Sequence, residues 1–211
     1  MRIEIKNLTK KFKNSIVLDD INLSFEKNKI YGLIGRNGSG KSVLLKIICA
    51  FYEPTSGEVL FNGKNIIVEK EFPPETRALI EKPNFIPDLT GFENLKLLAS
   101  IQNKITDVDI DNSLKAVDLY EEKDKKFSNY SLGMKQKLGI AQVIMEDPKV
   151  LILDEAFNGL DDASAKKIRD LLLIEKDKGK IIILATHIKE DIETLCDEVY
   201  KIDGGKVNKI I

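Results

Sequence analysis

The 211-residue sequence has no long apolar run, two cysteines, one histidine and no excess of either charge. Its longest uninterrupted apolar stretch, Ile47 to Tyr52, falls far short of the roughly 20 residues that a membrane-crossing helix needs. The opening residues, Met1 to Phe12, lack the apolar stretch of a secretory leader, which predicts a chain that is not exported. With 33 basic and 34 acidic side chains the net charge is −1, so nothing electrostatic recommends nucleic acid or an anionic membrane surface as a partner. Cys49 and Cys196 lie far apart with no metal-ligand spacing around them, and they read as small buried hydrophobes in a reducing compartment. No repeat, low-complexity tract or linker interrupts the text. What is present is a hydrophobic fraction of 43%, which excludes disorder and supplies a sizeable core.

The apolar pattern changes along the chain. Ile3 and Ile5 alternate with charges, as do Ile21, Leu23 and Phe25, which predicts half-buried antiparallel strands. Ile30 to Ile34 is short and uncharged, as a strand buried on both faces would be. A glycine-rich turn follows, then an apolar segment from Ser42 to Tyr52 that predicts a helix stopped by Pro54 and Gly57. Asn62-Gly63 sits between Glu58–Phe61 and Asn65–Ile67, the strongest short-range hairpin signal. From about Pro83 to Pro148 the text becomes helical and polar, which predicts a helical subdomain (about 83–148) inserted into a single domain spanning 1–211. Two more buried-strand runs come after it, Val150 to Leu153 and Ile181 to Ala185. The helix between them carries Ala165, Ile168 and Leu172 on one face and stops at Gly179. Tyr200 to Val207 reads as a closing hairpin. Strands alternating with helices imply a mostly parallel sheet flanked by helices.

The sharpest chemical signal is Gly35-Arg36-Asn37-Gly38-Ser39-Gly40-Lys41-Ser42, which fits G-x-x-x-x-G-K-[ST] between a buried strand and an apolar helix. Glycines let the backbone curl so that successive N–H groups face phosphate oxygens, and the following helix adds its positive end. Lys41 is expected to reach the β- and γ-phosphates, and the Ser42 hydroxyl to ligate magnesium; the competing reading is a chance glycine-rich turn. Val150 to Leu153 then ends in Asp154 and Glu155, which strand alternation sends in different directions. One carboxylate suits the magnesium shell and the other can polarise a water in line with the γ-phosphate, unless both merely begin a solvated loop. His187, the single histidine, follows a buried strand at the edge where open α/β sheets hold ligands. It can donate to the γ-phosphate or cap the next helix. Last, Tyr130-Ser131-Leu132-Gly133-Met134-Lys135-Gln136 opens a helix with a serine and a glycine, another anion site.

Taken in order, these motifs resemble those of ATP-binding-cassette (ABC) ATPases, the nucleotide-binding subunits of ABC transporters, along nearly the whole chain. The resemblance implies a P-loop NTPase core with a mostly parallel sheet, an N-terminal antiparallel β subdomain and an inserted helical subdomain. It implies ATP and Mg2+ as cofactors, held by Gly35, Asn37, Gly38, Ser39, Gly40, Lys41 and Ser42, with Asp154 and Ser42 on the metal. Phe12 takes the place of the adenine platform, Glu155 of the catalytic glutamate and His187 of the γ-phosphate contact, while Asn158 to Asp161 matches the loop at the dimer interface. Ser131 and Gly133 would touch the nucleotide of a second ABC subunit in an ATP-dependent dimer. Two departures stand out: Leu132 and Met134 replace a glycine and a glutamine, and Glu81 replaces the usual glutamine between core and helical subdomain. With the segment Ile80 to Thr90, they are similar to the ATPases of antibiotic and lantibiotic exporters. The implied role is to hydrolyse ATP for a separate integral-membrane subunit, as a cytoplasmic protein peripheral on the inner face of the cell membrane. Phe85, Leu89 and Phe92 either face that partner or belong to ordinary core. The competing functions are a soluble ABC ATPase driving protein assembly and a small-molecule kinase, which would leave Ser131, Gly133 and Asp161 without a task.

Overall fold

The computed structural model describes residues 1–13 and 15–211. Strands β1 (Arg2–Phe12) and β2 (Ser15–Glu26) pair antiparallel, with Ile3 opposite Phe25 and Ile5 opposite Leu23. Their alternating apolar side chains are buried, as the period of two requires. β3 (Lys29–Ile34) leads through the glycine-rich turn into α1 (Lys41–Ile48). That helix ends short of the expected Tyr52. Ala50 takes φ +58°, and the Phe51 N–H returns to the Lys46 carbonyl at 2.8 Å, closing the helix before Pro54 is reached.

β4 (Ser56–Phe61) turns at Asn62-Gly63, with φ of +51° and +84°, into β5 (Lys64–Asn65). The strand expected over Asn65–Ile67 is cut off because the Asn65 side chain accepts from the N–H groups of Ile67 and Val68, at 3.1 and 3.4 Å. That cap starts α2 (Ile66–Glu69) in place of a longer ladder. β6 (Thr76–Leu79) follows, then α3 (Gly91–Gln102), α4 (Asp107–Ala116) and α5 (Leu132–Ile144). Capping boxes open α3 and α4, pairing Thr90 with Glu93 and Thr106 with Asp109. The chain finishes with β7 (Val150–Asp154), α6 (Asp162–Asp177), β8 (Ile181–Ala185), α7 (Lys189–Leu195), β9 (Glu198–Asp203) and β10 (Lys206–Lys209).

Two sheets result: an antiparallel one in the order β2-β1-β4-β5, and a six-stranded one in the order β10-β9-β3-β8-β7-β6. In the second sheet every pairing except β9 with β10 is parallel, so the fold expected from the motifs is the one observed. β7 and β8 sit inside it with every residue buried, and their side chains divide between two cores. Leu151, Leu153, Ile182 and Leu184 join the helices of one face. Val150, Ile152, Ile181 and Ile183 join α1 and the antiparallel sheet on the other. Burial on both faces is why these strands read as unbroken apolar runs, and each such side chain contributes about 1.5–3 kcal/mol of burial free energy. Phe85 and Phe92 also pack against a core, Phe85 lying edge-on to Phe127 with ring centroids 5.3 Å apart.

The topology positions the site. β3, β8 and β7 are neighbours and parallel, so the loops after Ile34, Ala185 and Asp154 emerge side by side at the carboxyl edge of the sheet.

Candidate functional site

The loop after β3 is shaped by its glycines. Gly40 holds φ +108°, and a Cβ there would stand 2.9 Å from Leu18 and 3.1 Å from the Val17 carbonyl, so no other residue fits without displacing β2. Gly38, at φ +78°, has open space around it and is needed for conformation alone. Lys41 is buried at the start of α1, and its ammonium donates to the carbonyls of Gly35 at 2.8 Å and Arg36 at 3.3 Å. The cation is thus held over the loop by acceptors that phosphate oxygens can replace. Among the described residues Ser39 Oγ is buried with no hydrogen-bond partner.

Asp154 closes β7 beside this loop. Ser42 lies close to its carboxylate, and among the described residues Oδ1 is buried without a hydrogen-bond partner. Burial, helped by the nearby charges of Glu155 and Glu81, pushes the Asp154 carboxyl above its ordinary value of 3.8 against the pull of Ser42 and Lys41. An unsatisfied oxygen on a carboxylate beside a serine hydroxyl suits Mg2+, which takes one or two protein oxygens and fills its shell with phosphates and water. Glu155 follows the strand with φ +52°. Its backbone N–H donates to the Ala185 carbonyl at 2.8 Å, and the Glu155 carbonyl accepts from Gln136 Nε2 at 3.4 Å. The carboxylate meets His187 Nδ1 at 2.7 Å and accepts from Asn158 Nδ2 at 3.4 Å. His187 is therefore engaged with Glu155 rather than standing free. With Nδ1 so used, Nε2 remains to face a ligand, donating only when the ring carries both protons.

A cavity of about 500 Å³ lies among these groups, with Gly35, Ser39 and His187 outside its wall. Its wall includes Asn37, Gly38, Gly40, Lys41, Ser42, Glu81, Asp154 and Glu155 from the predicted set. It also includes Val17, Lys82 and Gln136, to which sequence reasoning gave no role. Gln136 stands in the quoted signature motif, whereas Val17 reaches the wall through the tertiary approach of β2, for which its neighbours in sequence give no sign. A larger cavity of about 710 Å³, lined by Phe51, Phe72 and Arg77 among others, contains none of the predicted residues, so chemistry and not size selects the site.

The remaining predicted residues have local roles. Gly35 and Ser39 form the inner curl of the loop, where a Cβ on Gly35 would lie 2.6 Å from the Ser39 hydroxyl. Glu81, at φ +66°, is ion-paired with Lys46. Phe12 is 40% exposed, lies edge-on to Tyr52 at 5.8 Å, has Lys10 Nζ 4.8 Å from its ring, and is outside the cavity wall. Ser131 caps α5, accepting from the Met134 N–H at 3.2 Å. A Cβ on Gly133 would meet the Gly159 carbonyl at 3.0 Å, so the signature edge and the Asn158–Asp161 loop already touch within one chain. Asp161 caps α6 by accepting from the Ser164 N–H and hydroxyl, both at 2.9 Å, and these bonds hold its carboxyl below the ordinary range. Leu132, replacing a glycine, lines the cavity while 58% exposed.

Comparison with known proteins agrees with this geometry. The ABC transporter family model matches residues 18–158. The chain is 42% identical to the ABC transporter ATP-binding protein YybJ of Bacillus subtilis, over 97% of this chain and 94% of that one. It is 41% identical to the bacitracin transport ATP-binding protein BcrA of Enterococcus faecalis, over 96% and 67%. It is 33% identical to the lantibiotic transport ATP-binding protein SrtF of Streptococcus pyogenes, over 97% and 88%. The solved structure of an ATP-binding subunit of an ABC transporter superposes with a TM-score of 0.90 at 28% identity, covering 100% of this chain and 90% of that one. The dimeric cassette MJ0796 shares the fold at a TM-score of 0.88 and 24% identity, with 99% of each chain covered. The chain belongs to the ABC transporter family as an ATP-binding subunit, an ATPase.

Proposed function

We propose that the chain hydrolyses ATP at the carboxyl edge of its six-stranded sheet to power export of an antibiotic, lantibiotic or related peptide through a separate membrane subunit. The observation that carries the chemistry is the cavity wall shared by Lys41, Ser42, Asp154 and Glu155, with Asp154 Oδ1 buried and without a partner among the described residues, and with His187, outside the wall, held 2.7 Å from Glu155. The phosphates lie along the curl of Gly35, Asn37, Gly38, Ser39 and Gly40, whose backbone N–H groups and the start of α1 favour negative charge. Lys41 exchanges the Gly35 and Arg36 carbonyls for phosphate oxygens. Asp154 and Ser42 would hold Mg2+, which would supply positive charge to offset that of the phosphates. Glu155 accepts a hydrogen bond from the attacking water, and His187 orients that carboxylate and reaches the γ-phosphate. Phe12, exposed beside Lys10, offers the adenine a ring face.

The signature edge supplies the rest from a second copy of the chain or a related subunit. Ser131 is exposed at the start of α5 and Gly133 is half-buried just after it, which suits contact with a partner's γ-phosphate, with Asp161 at the seam. The 1–211 chain acts as one nucleotide-binding unit with its helical subdomain at about 83–148. Among the described residues no helix is long and apolar enough to cross a membrane, which supports assigning translocation to a partner and this chain to the inner membrane face. The export assignment rests on the relatives named for bacitracin and lantibiotic transport.

Glu155→Gln tests the chemistry. It is expected to bind ATP but lower kcat at least about a hundredfold, the usual worth of general base catalysis. It should also accumulate an ATP-dependent dimer by light scattering, and adding Gly133→Asp should abolish that dimer. Unchanged hydrolysis would remove Glu155 from its role, and a monomer in both variants would remove the second copy. Co-purification with soluble proteins and not with membranes would favour the assembly ATPase instead.

A further inference from the structure

The groups proposed to polarise water sit on two loops, and one side chain behind them grips both. His187 is 61% exposed, so its 2.7 Å contact with Glu155 is not fixed by packing at the tip. Beneath it lies Arg169 of α6, whose side chain is only 12% exposed. Arg169 Nε and Nη2 approach Asp191 Oδ1 at 2.8 and 2.7 Å. Asp191 is fully buried, and its Oδ2 accepts the Thr186 hydroxyl at 3.0 Å. Thr186 Oγ1 in turn accepts the Ile188 N–H at 3.1 Å, so the residues on either side of His187 are tied to Asp191. The same guanidinium lies 5.4 Å from the centre of the Phe157 ring, which is buried two residues beyond Glu155.

We propose that Arg169 and Asp191 are positioning residues that keep Glu155 and His187 in register. The guanidinium joins the loop after β7, by stacking on Phe157, to the loop after β8, through Asp191 and Thr186. A planar, forked cation can do both at once, which an ammonium cannot. Displacing reacting groups by about 1 Å can cost up to about a hundredfold in rate, so a clamp of this kind acts on turnover rather than on ATP affinity. The inference rests on the roles proposed above for Glu155 and His187. Glu175 of the same helix, buried and paired with Lys180 just before β8, serves as the comparison.

The test is steady-state ATP hydrolysis and Tm of Asp191→Asn, made in the natural chain and in His187→Ala. Asp191→Asn is expected to lower kcat about tenfold to a hundredfold, to leave KM for ATP within about twofold, and to have no further effect once His187 is gone. Arg169→Lys keeps the charge but loses fork and stack, and gives the same pattern if Asp191→Asn does not fold. Glu175→Gln lowers Tm without moving kcat. Equal losses from Asp191→Asn with and without His187, or a lower Tm with kcat unchanged, would overturn the positioning role and leave the site assignment standing. Full activity in His187→Ala would overturn the assignment of His187 and the clamp together.

Discussion

The two edges of the six-stranded sheet treat buried polar groups in opposite ways. At the amino edge Lys180 is buried but saturated, meeting Glu175 and, at 2.5 Å, Asp147, while Glu175 also accepts from Lys178 at 2.6 Å. At the carboxyl edge, among the described residues, Asp154 Oδ1 and Ser39 Oγ are buried with no partner, Lys41 bonds only carbonyls of its own loop, and Glu155 holds φ +52°. A buried polar atom without a partner costs roughly 1–3 kcal/mol. The unsatisfied edge is the edge where a triphosphate would complete the bonding, and the saturated edge is built for stability alone.

Relieving the stressed edge has the largest expected consequence. Burial, with the charges of Glu155 and Glu81, raises the Asp154 carboxyl above 3.8. A carboxyl raised in the folded state stabilises that state below its unfolded value and loses the contribution as pH climbs through the folded value, so at pH 7 the ionised group weakens the nucleotide-free protein. Asp154→Asn is therefore expected to raise Tm at pH 7 by about 2–4 °C for each kcal/mol relieved, with the gain fading as pH falls toward 3.8 and absent below it. The same variant should lose at least about a hundredfold in Mg2+-dependent hydrolysis, because the charge that would hold the metal is gone. A lower Tm at pH 7, or retained turnover, would break the contrast between the edges.

The saturated edge should answer in the reverse sense. Glu175→Gln leaves Lys180 buried with Asp147 as its remaining carboxylate. Breaking one side of a buried pair costs roughly 3–5 kcal/mol, which corresponds to a Tm lower by about 10 °C in a protein of this size. Thermal melts paired with ATPase rates decide the matter. A change in kcat beyond about twofold would mean that the amino edge also tunes the site.

How much of this was legible in the sequence follows from range. The turn from Gly35 to Ser42 and the acids ending Val150–Asp154 could be read because strand, loop and helix are contiguous, and buried strands announce themselves as unbroken apolar runs. The end of α1 was misread because it depends on a left-handed Ala50, a conformation without a glycine to signal it. The short β5 depends on a cap that Asn65 makes with residues just ahead of it. Arg169 with Asp191, Lys46 with Glu81, and the approach of Val17 to Gly40 join residues distant in the chain, and nothing in the spacing marks one partner for the other. The sequence leaves His187 to face phosphate or to cap the next helix, and its bond to Glu155 becomes visible only when β7 and β8 are placed side by side.

The smallest expected effect lies between the two edges, at the start of β9, where a paired charge is neither buried deeply nor near the cavity. Burial pushes the Glu198 carboxyl up, but hydrogen bonds from Lys29 at 2.7 Å, Lys209 at 3.0 Å and Tyr200 at 2.8 Å outweigh it and lower it from 4.5 to about 2. A depressed carboxylate stabilises the fold above 4.5 and loses that contribution as pH falls toward 2. Because Lys29 and Lys209 are 39% and 54% exposed, solvent screens the attraction, and Glu198→Gln is expected to cost no more than about 1 kcal/mol at pH 7. The difference between the variant and the natural chain in urea melts should close over the acid range, with hydrolysis at pH 7 unchanged. A difference that stays constant from neutral pH to pH 2 would mean that Glu198 acts by packing between Tyr200 and β3, and that charge pairing outside the amino edge adds nothing to stability.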